Sequence, residues 1–342
     1  MELSTEKSLE IFNSMWHPLC HKSEVSSPGQ WVCLPHSPDD IIVYNDRGTL
    51  ICFDNVCPHR GASFVETYTG KGTLVCPYHS FCYLDGGLRT GRHKPIEAGS
   101  KTKVDLNKYH LDNIGDMIFF SPNPSIAIEE QFTSEVRSQL TEIASKISKT
   151  YDENISTFEC MAVLGVENAL EAVHVNSVHP DSLARLNLST GTFDRLGLCS
   201  SWTSEIQDKR TGRAFNAIGK MIGLNVKKTY KNLLLFPFSM ISSSGGISYS
   251  LQNFFPVTDD TTTFISRLYP DNLCFSNGSP VDHFLSSTAE INRQVFSEDA
   301  GICSKISKSP KKKLGKFLVQ GEERIAWYRE AFTHETTLRG IN

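Results

Sequence analysis

No stretch of the 342-residue chain approaches ~18 uninterrupted apolar residues, which excludes a membrane-spanning helix. The opening MELSTEKSLEIF has neither the basic segment nor the apolar run of an export signal. A non-exported protein is expected. A strong charge of either sign is missing too: 34 Lys and Arg stand against 38 Asp and Glu, for a net charge of -4. With no overall field for gripping phosphates, neither nucleic acid nor a membrane is an expected partner. The ten cysteines follow no framework spacing, and several lie in apolar runs such as LICF and FECMAV. That excludes a disulfide scaffold and fits a reducing, cytoplasmic location. Also absent are internal repeats, low-complexity tracts, a Gly-rich dinucleotide loop after a strand and a plant-type C-x4-C-x2-C ferredoxin motif.

What remains is an ordinary globular composition, 39% hydrophobic and 21% charged, on a chain long enough for two unequal domains. From Trp31 to Phe120 short β-rich runs alternate with turn residues: WVCL, DIIVYND, GTLICF and GDMIFF, with Asp46-Arg47-Gly48 as a hairpin turn. Pro122-Asn123-Pro124 interrupts any strand, and SIAIEEQFTSEVRSQLTEIASKIS then shows helical spacing. The predicted boundary is at 122, giving an all-β unit over 1–122 and a second unit over 123–342. The second unit mixes strand-like runs (STFECMAVL, KNLLLFPFSMI, GISYSLQNFFPV, TTTFISRLY) with helices near 281–306 and 320–334. The fold class is α+β, with an antiparallel sheet flanked by helices. PKKKLGK at 310–316 reads as a solvated loop or, more sharply, as a docking patch for an acidic redox partner.

Two short clusters in the first unit carry metal-ligand chemistry: Cys57-Pro-His59-Arg-Gly and Cys76-Pro-Tyr-His79. Zinc uses these residue types, and a Cys2His2 zinc staple is one reading. Zinc fingers, however, commonly pair Cys with Cys and His with His, whereas each loop here contributes one of each. A two-iron cluster explains the mixture, with both thiolates on one iron and both imidazoles on the other. These loops resemble the Rieske [2Fe–2S] fold, whose second loop often continues with Gly-Trp where this chain has Ser80-Phe81.

A second constellation lies in ENALEAVHVNSVHP, residues 167–180. Glu171 and His174 are three apart and share a face of a helix, but His179 is five beyond His174 and would point away on a regular helix. The helix is expected to loosen, by a π-type bulge or a break before Pro180, so that both imidazoles meet. Two His and a distant carboxylate make the facial triad of a non-haem Fe(II) oxygenase. In RQVFSEDAGI the carboxylate is Asp299, with Glu298 as the alternative.

With both motifs in this order, followed by S-R-L-Y-P, F-x-E-D and E-E-R-I-x-W-Y-R patterns, the chain resembles over nearly its full length the large catalytic subunit of Rieske non-haem iron oxygenases. The resemblance implies a Rieske domain followed by a catalytic domain, a [2Fe–2S] cluster on Cys57, His59, Cys76 and His79, and Fe(2+) on His174, His179 and Asp299. It implies O2 as co-substrate, a separate NAD(P)H-dependent reductase and a head-to-tail homo-oligomer, usually a trimer. In that ring His79 of one subunit faces Glu171 of its neighbour, which serves as the inter-subunit electron bridge, and Asn168 is placed at the iron pocket. Many members carry Asp at the bridge; Glu there resembles the branch acting on carnitine and other quaternary ammonium compounds. Monooxygenation or oxidative demethylation is favoured over ring cis-dihydroxylation, and an electron-transfer protein with an inactive second domain is the remaining alternative. For the substrate, Phe236, Phe238, Tyr249, Phe254 and Phe255 are candidates for a cation cage or an arene stack, and Trp202 and Arg185 for an anchor.

Overall fold

The structure, a computed structural model, describes residues 4–34, 40–84, 86–90, 103–222, 226–272, 280–309 and 317–340. Helix α1 (Thr5–Ser14) leads into β1 (His17–His21), β2 (Gln30–Leu34), β3 (Ile41–Asp46), β4 (Thr49–Asp54) and β5 (Thr69–Lys71). A small sheet follows, β6 (Cys82–Leu84), β7 (Gly87–Arg89) and β8 (Lys103–Val104), and then β9 (Lys108–Ile114) and β10 (Met117–Ser121). Seven of these strands form one sheet in the order β1-β10-β9-β4-β3-β2-β5. The β3–β4 hairpin closes where the sequence places it, through Arg47 and Gly48, both with positive φ. Two left-handed residues give a turn whose twist matches that of the flanking strands.

The segment expected as one helix after Pro124 is two, α2 (Ile128–Gln131) and α3 (Ser134–Lys146). The Thr133 hydroxyl accepts from the Val136 amide and starts α3 afresh. Next come β11 (Asp152–Phe158), α4 (Ala162–Leu170), α5 (Val175–Val178), β12 (Thr192–Leu196), β13 (Cys199–Glu205) and α6 (Lys209–Ile222). Strands β14 (Thr229–Leu235), β15 (Ser239–Ser244), β16 (Ser248–Thr258) and β17 (Thr261–Pro270) precede the long helix α7 (Pro280–Ser307) and the final α8 (Glu323–Leu338). STFECMAVL is thus a strand only as far as Phe158. Its last residues open α4, whose buried face continues through Val163, Val166 and Leu170. The second sheet is fully antiparallel, β11-β17-β16-β15-β14-β13-β12.

Strand alternation gives the second sheet two buried faces. One, with Leu251, Phe255 and Ile265, joins α1 and the first sheet in the largest apolar core, where Phe12, His17, Phe120 and Phe255 form an aromatic cluster. Buried Arg267 crosses this junction to donate to the Leu19 carbonyl. Buried Glu24 accepts from the Thr150 hydroxyl at 2.7 Å and the Tyr269 hydroxyl at 3.1 Å. The other face carries α4 and α7: Phe254 packs where Gly165 leaves room, an added Cβ there standing 3.0 Å from its ring, and Phe264 packs on Phe296 of α7 at a centroid distance of 4.7 Å. A separate small core of Phe53, Phe64, Leu74, Phe81 and Tyr83 lies beneath the two Cys/His loops. Among the described residues no cysteine forms a disulfide and no helix is long and apolar enough to cross a membrane. Residues 310–316, with the PKKKLGK run, lie outside the described residues.

Candidate metal centres

The two Cys/His loops are built alike. In each, the cysteine N–H donates to the carbonyl five residues on, Cys57 to Ala62 at 2.9 Å and Cys76 to Phe81 at 2.7 Å. In each, the cysteine carbonyl accepts from the amide four residues on, Gly61 at 2.8 Å and Ser80 at 3.0 Å. Closing such a loop puts the fourth residue in the left-handed region; Gly61 adopts φ +77° at no steric cost, and Ser80 adopts φ +58°. Ser80 therefore occupies a position that favours glycine, the residue of the usual Gly-Trp continuation. Phe81 lies beside both imidazoles, 4.9 Å from the His59 ring and 5.8 Å from that of His79.

The loops bring unlike atoms together in like pairs. The Cys57 and Cys76 thiols are buried and in contact, and burial followed by the neighbouring thiol raises Cys57 above the ordinary thiol value, partly opposed by backbone N–H groups of His59 and Arg60. The Nδ1 atoms of His59 and His79 face each other at 3.2 Å. Two buried thiols on one side and two imidazole nitrogens at the surface on the other are a donor set that fits a [2Fe–2S] cluster of mixed ligation.

The second constellation departs from the helix expected for it. Helix α4 ends at Leu170, and Glu171 is already extended at φ -111° and ψ 154°. Glu171 and His174 therefore do not share a regular helical face. Instead the Glu171 carboxylate folds forward over the next turn, its Oε2 accepting from the backbone amides of Val173 and of His174, the latter at 3.0 Å, and its Oε1 facing His174 Nδ1 at 2.5 Å. The single turn of α5 then carries the chain to His179. The chain breaks at Glu171, where a carboxylate satisfies the freed amides, and again at His179, non-helical at φ -116° and ψ 43°, so that α5 ends before Pro180 as expected.

His174, His179 and Asp299 converge, with one ligand atom of each within 4.8 Å of the others. The two Nε2 atoms are 3.1 Å apart, and Asp299 Oδ1 is 3.5 Å from one and 3.1 Å from the other. Each outer nitrogen has a carboxylate: Glu171 at His174 Nδ1, and Glu298 Oε2 at His179 Nδ1, 2.7 Å away. Ring protons held at Nδ1 leave both Nε2 lone pairs pointing to one place, the arrangement that metal-binding imidazoles share. Burial opposes a positive charge on His179, but Asp299 and Glu298 outweigh it and raise its proton affinity, so the site favours a cation at its centre.

Glu298 and Asp299 are neighbours on α7 and both reach His179 because a flat ring offers nitrogens on two edges. Glu298 also accepts from Ser182 Oγ at 2.6 Å and Gln294 Nε2 at 2.8 Å. Asn168 Nδ2 donates to Asp299 Oδ1 at 2.7 Å. Ser182 and Gln294 were not singled out in the sequence, nor was the buried Glu167, which Arg329 of α8 grips through both carboxylate oxygens at 2.7 Å one turn before Glu171. Adjacent acidic residues on one helix were the only signal for Glu298. Of the aromatic candidates, Phe236, Phe238, Tyr249 and Phe255 are buried in the main core, Phe254 packs against Gly165 of α4, and Arg185 is an exposed partner of Asp181. Trp202 is buried against Phe193 and Tyr230.

Residues 15–108 match the Rieske [2Fe–2S] domain. The first unit is a Rieske iron–sulfur domain. A stretch of 176 residues is 24% identical to the carnitine monooxygenase oxygenase subunit of Acinetobacter pittii, covering 50% of this chain and 47% of that protein. Another 180-residue match, 28% identical, is to the glycine betaine monooxygenase oxygenase subunit of Chromohalobacter salexigens, covering 52% and 40%. The chain spans about half the length of the curated relatives it matches. The crystal structure of the quaternary ammonium Rieske monooxygenase CntA with L-carnitine superposes with a TM-score of 0.76 at 18% identity, covering 97% of this chain and 91% of that one. Naphthalene 1,2-dioxygenase from Rhodococcus gives 0.68 at 16% identity, covering 96% and 90%. The chain is a relative of Rieske oxygenase subunits and has their fold over nearly all its length. The Rieske match implies a [2Fe–2S] cluster, which the donor set of the two loops fits, and the His174, His179 and Asp299 set fits a single metal ion.

Proposed function

We propose that this chain is the oxygenase component of a multicomponent Rieske monooxygenase, which uses O2 to hydroxylate or oxidatively demethylate a small organic substrate. The observation that carries this reading is the convergence of His174, His179 and Asp299, each imidazole oriented by its own carboxylate, on a chain that also bears a Rieske domain. An electron carrier alone would have no use for this second site. Cys57, His59, Cys76 and His79 hold the cluster, and His174, His179 and Asp299 hold the iron. When bound, the iron activates dioxygen and the cluster supplies an electron.

The protein's part is positional. Glu171 and Glu298 keep the ring protons at Nδ1, and Asn168 holds the Asp299 carboxylate against its helix neighbours. Helices α4 and α7 and the second sheet exclude bulk water, which strengthens every charge interaction inside. Quaternary ammonium compounds are the favoured substrate class, since relatives named for carnitine and glycine betaine monooxygenases share the sequence and Glu171 stands at the bridge position.

The assembly is a head-to-tail homotrimer fed by a separate NAD(P)H reductase in the cytoplasm. Exposed Tyr78 beside the cluster ligands and exposed Val173 between Glu171 and His174 suit an interface that brings His79 of one subunit to Glu171 of the next. The test is a single turnover of reduced protein with L-carnitine or glycine betaine, followed by mass spectrometry. One oxygen atom should enter the product, and His174→Ala should lose this activity while keeping the cluster's visible absorption. Oxygenation undiminished in that variant would refute the assignment.

A further inference from the structure

The helix-facing side of the second sheet is polar where a packing surface should be apolar. Cross-strand register sets Asn232 of β14 beside Ser242 of β15, and Ser242 beside Ser250 of β16. Gln252, two residues on, lies on the same face beside Ser266 of β17. All are buried. One residue out of phase, the row Leu233, Ile241 and Leu251 faces the main core and is wholly apolar. A sheet that only supports helices offers them an apolar face, and buried polar groups are kept where they have partners to meet.

This polar row looks toward the iron site. Phe254 and Phe264, on the same face, pack against Gly165 of α4 and Phe296 of α7, one turn before Asp299. Tyr230, two residues before Asn232, is raised in proton affinity by burial and by the negative charge of Asp299, against the opposing effects of Ser242 and Arg324.

Within the row the hydrogen bonds are incomplete at one atom. Asn232 Nδ2 donates to Ser242 Oγ at 3.0 Å, and Gln252 Nε2 reaches Ser242 Oγ at 3.4 Å and Ser250 Oγ at 3.3 Å. Asn232 Oδ1 is buried and has no hydrogen-bond partner among the described residues, although Asn232 is only 3% exposed. A buried acceptor left so costs free energy until a donor reaches it.

We propose that Asn232, set by Ser242 and Gln252, is a specificity-determining residue that accepts a hydrogen bond from a hydroxyl group of a small polar substrate. The inference rests on the oxygenase reading above and deepens it by naming what the substrate must carry. A site built to accept a hydroxyl rejects the analogue that lacks it, because the buried acceptor is then left unpaired.

L-carnitine and γ-butyrobetaine, both ligands of CntA, differ by one hydroxyl and form the test pair. Titration calorimetry of the iron-loaded protein under nitrogen should show L-carnitine bound at least about tenfold more tightly. Asn232→Leu should bring the two dissociation constants together, with cluster absorption and iron content unchanged; Asn232→Ala serves if the leucine variant does not fold. Equal affinities in the wild type, or a preference surviving in the variant, overturn the proposal. Binding of neither compound overturns it as well, and the iron content of the same sample then shows whether the oxygenase reading fails with it.

Discussion

Replacing Glu298 separates the work of an orienting carboxylate from that of a ligand. Its Oε2 accepts from His179 Nδ1 at 2.7 Å and from the Ser182 hydroxyl at 2.6 Å, while Asp299 alone faces both Nε2 atoms. Loss of such an outer partner typically costs 10- to 100-fold in metal affinity, or about 1.4 to 2.8 kcal/mol. Where a variant falls in that range depends on what replaces the carboxylate. Glutamine keeps one oxygen, so Glu298→Gln should lie near the lower end, about tenfold. Leucine offers no acceptor, and the His179 side chain is 0% exposed, so Nδ1 loses its charged partner at a buried ring. Glu298→Leu should approach the upper end, about 100-fold. The assay is anaerobic Fe(II) competition against a chelator, with the cluster absorption as internal control. Wild-type iron affinity in the leucine variant would refute the orienting role, and complete loss of iron in both variants would mark Glu298 as a ligand.

Three further outcomes are expected. Glu171→Gln should retain both metal centres yet slow reoxidation of the reduced cluster on mixing with oxygen and substrate; an unchanged rate argues against the bridge. Ser80→Gly relieves a left-handed side chain, and after subtracting glycine's greater unfolded-state freedom it should raise the stability of the cluster domain by up to about 1 kcal/mol, read as the urea midpoint for loss of visible absorption. A lower midpoint would contradict the loop argument. His17 is buried and its pKa is lowered by desolvation to about 4, so the folded protein holds it neutral while the unfolded chain protonates it near the ordinary value. Stability from this residue is complete above about pH 6.5 and is lost as pH falls toward 4, by about 3 kcal/mol. His17→Gln should flatten urea stability over that window by one proton, and an unaltered slope would count against it.

The metal chemistry was legible because it depends on residue types at short spacing: Cys57 with His59, Cys76 with His79, and His174 with His179. The long-range half of each site was less so. Asp299 could be named only as a carboxylate on a distant helix. Glu298 beside it could not be given a role until the ring of His179 was placed between them. The break before Pro180 was legible and is present at His179; the second break, at Glu171, was not, since helical spacing does not reveal a carboxylate that caps the next turn. Alternation alone cannot say which face of a strand turns to the main core, so Phe236 and Phe255, buried there, could not be told apart from residues of the opposite face such as Asn232 and Ser242. Register, which depends on pairings across β13 to β17, supplied the difference.

The central claim is that one chain carries both a mixed-ligand cluster and a mononuclear iron. Anaerobically purified protein should be assayed for iron and zinc, with visible and EPR spectra recorded before and after reduction. The account predicts about three irons per chain, no zinc, and the reduced signal of a [2Fe–2S] cluster with Cys and His ligands. A colourless protein containing zinc would contradict it.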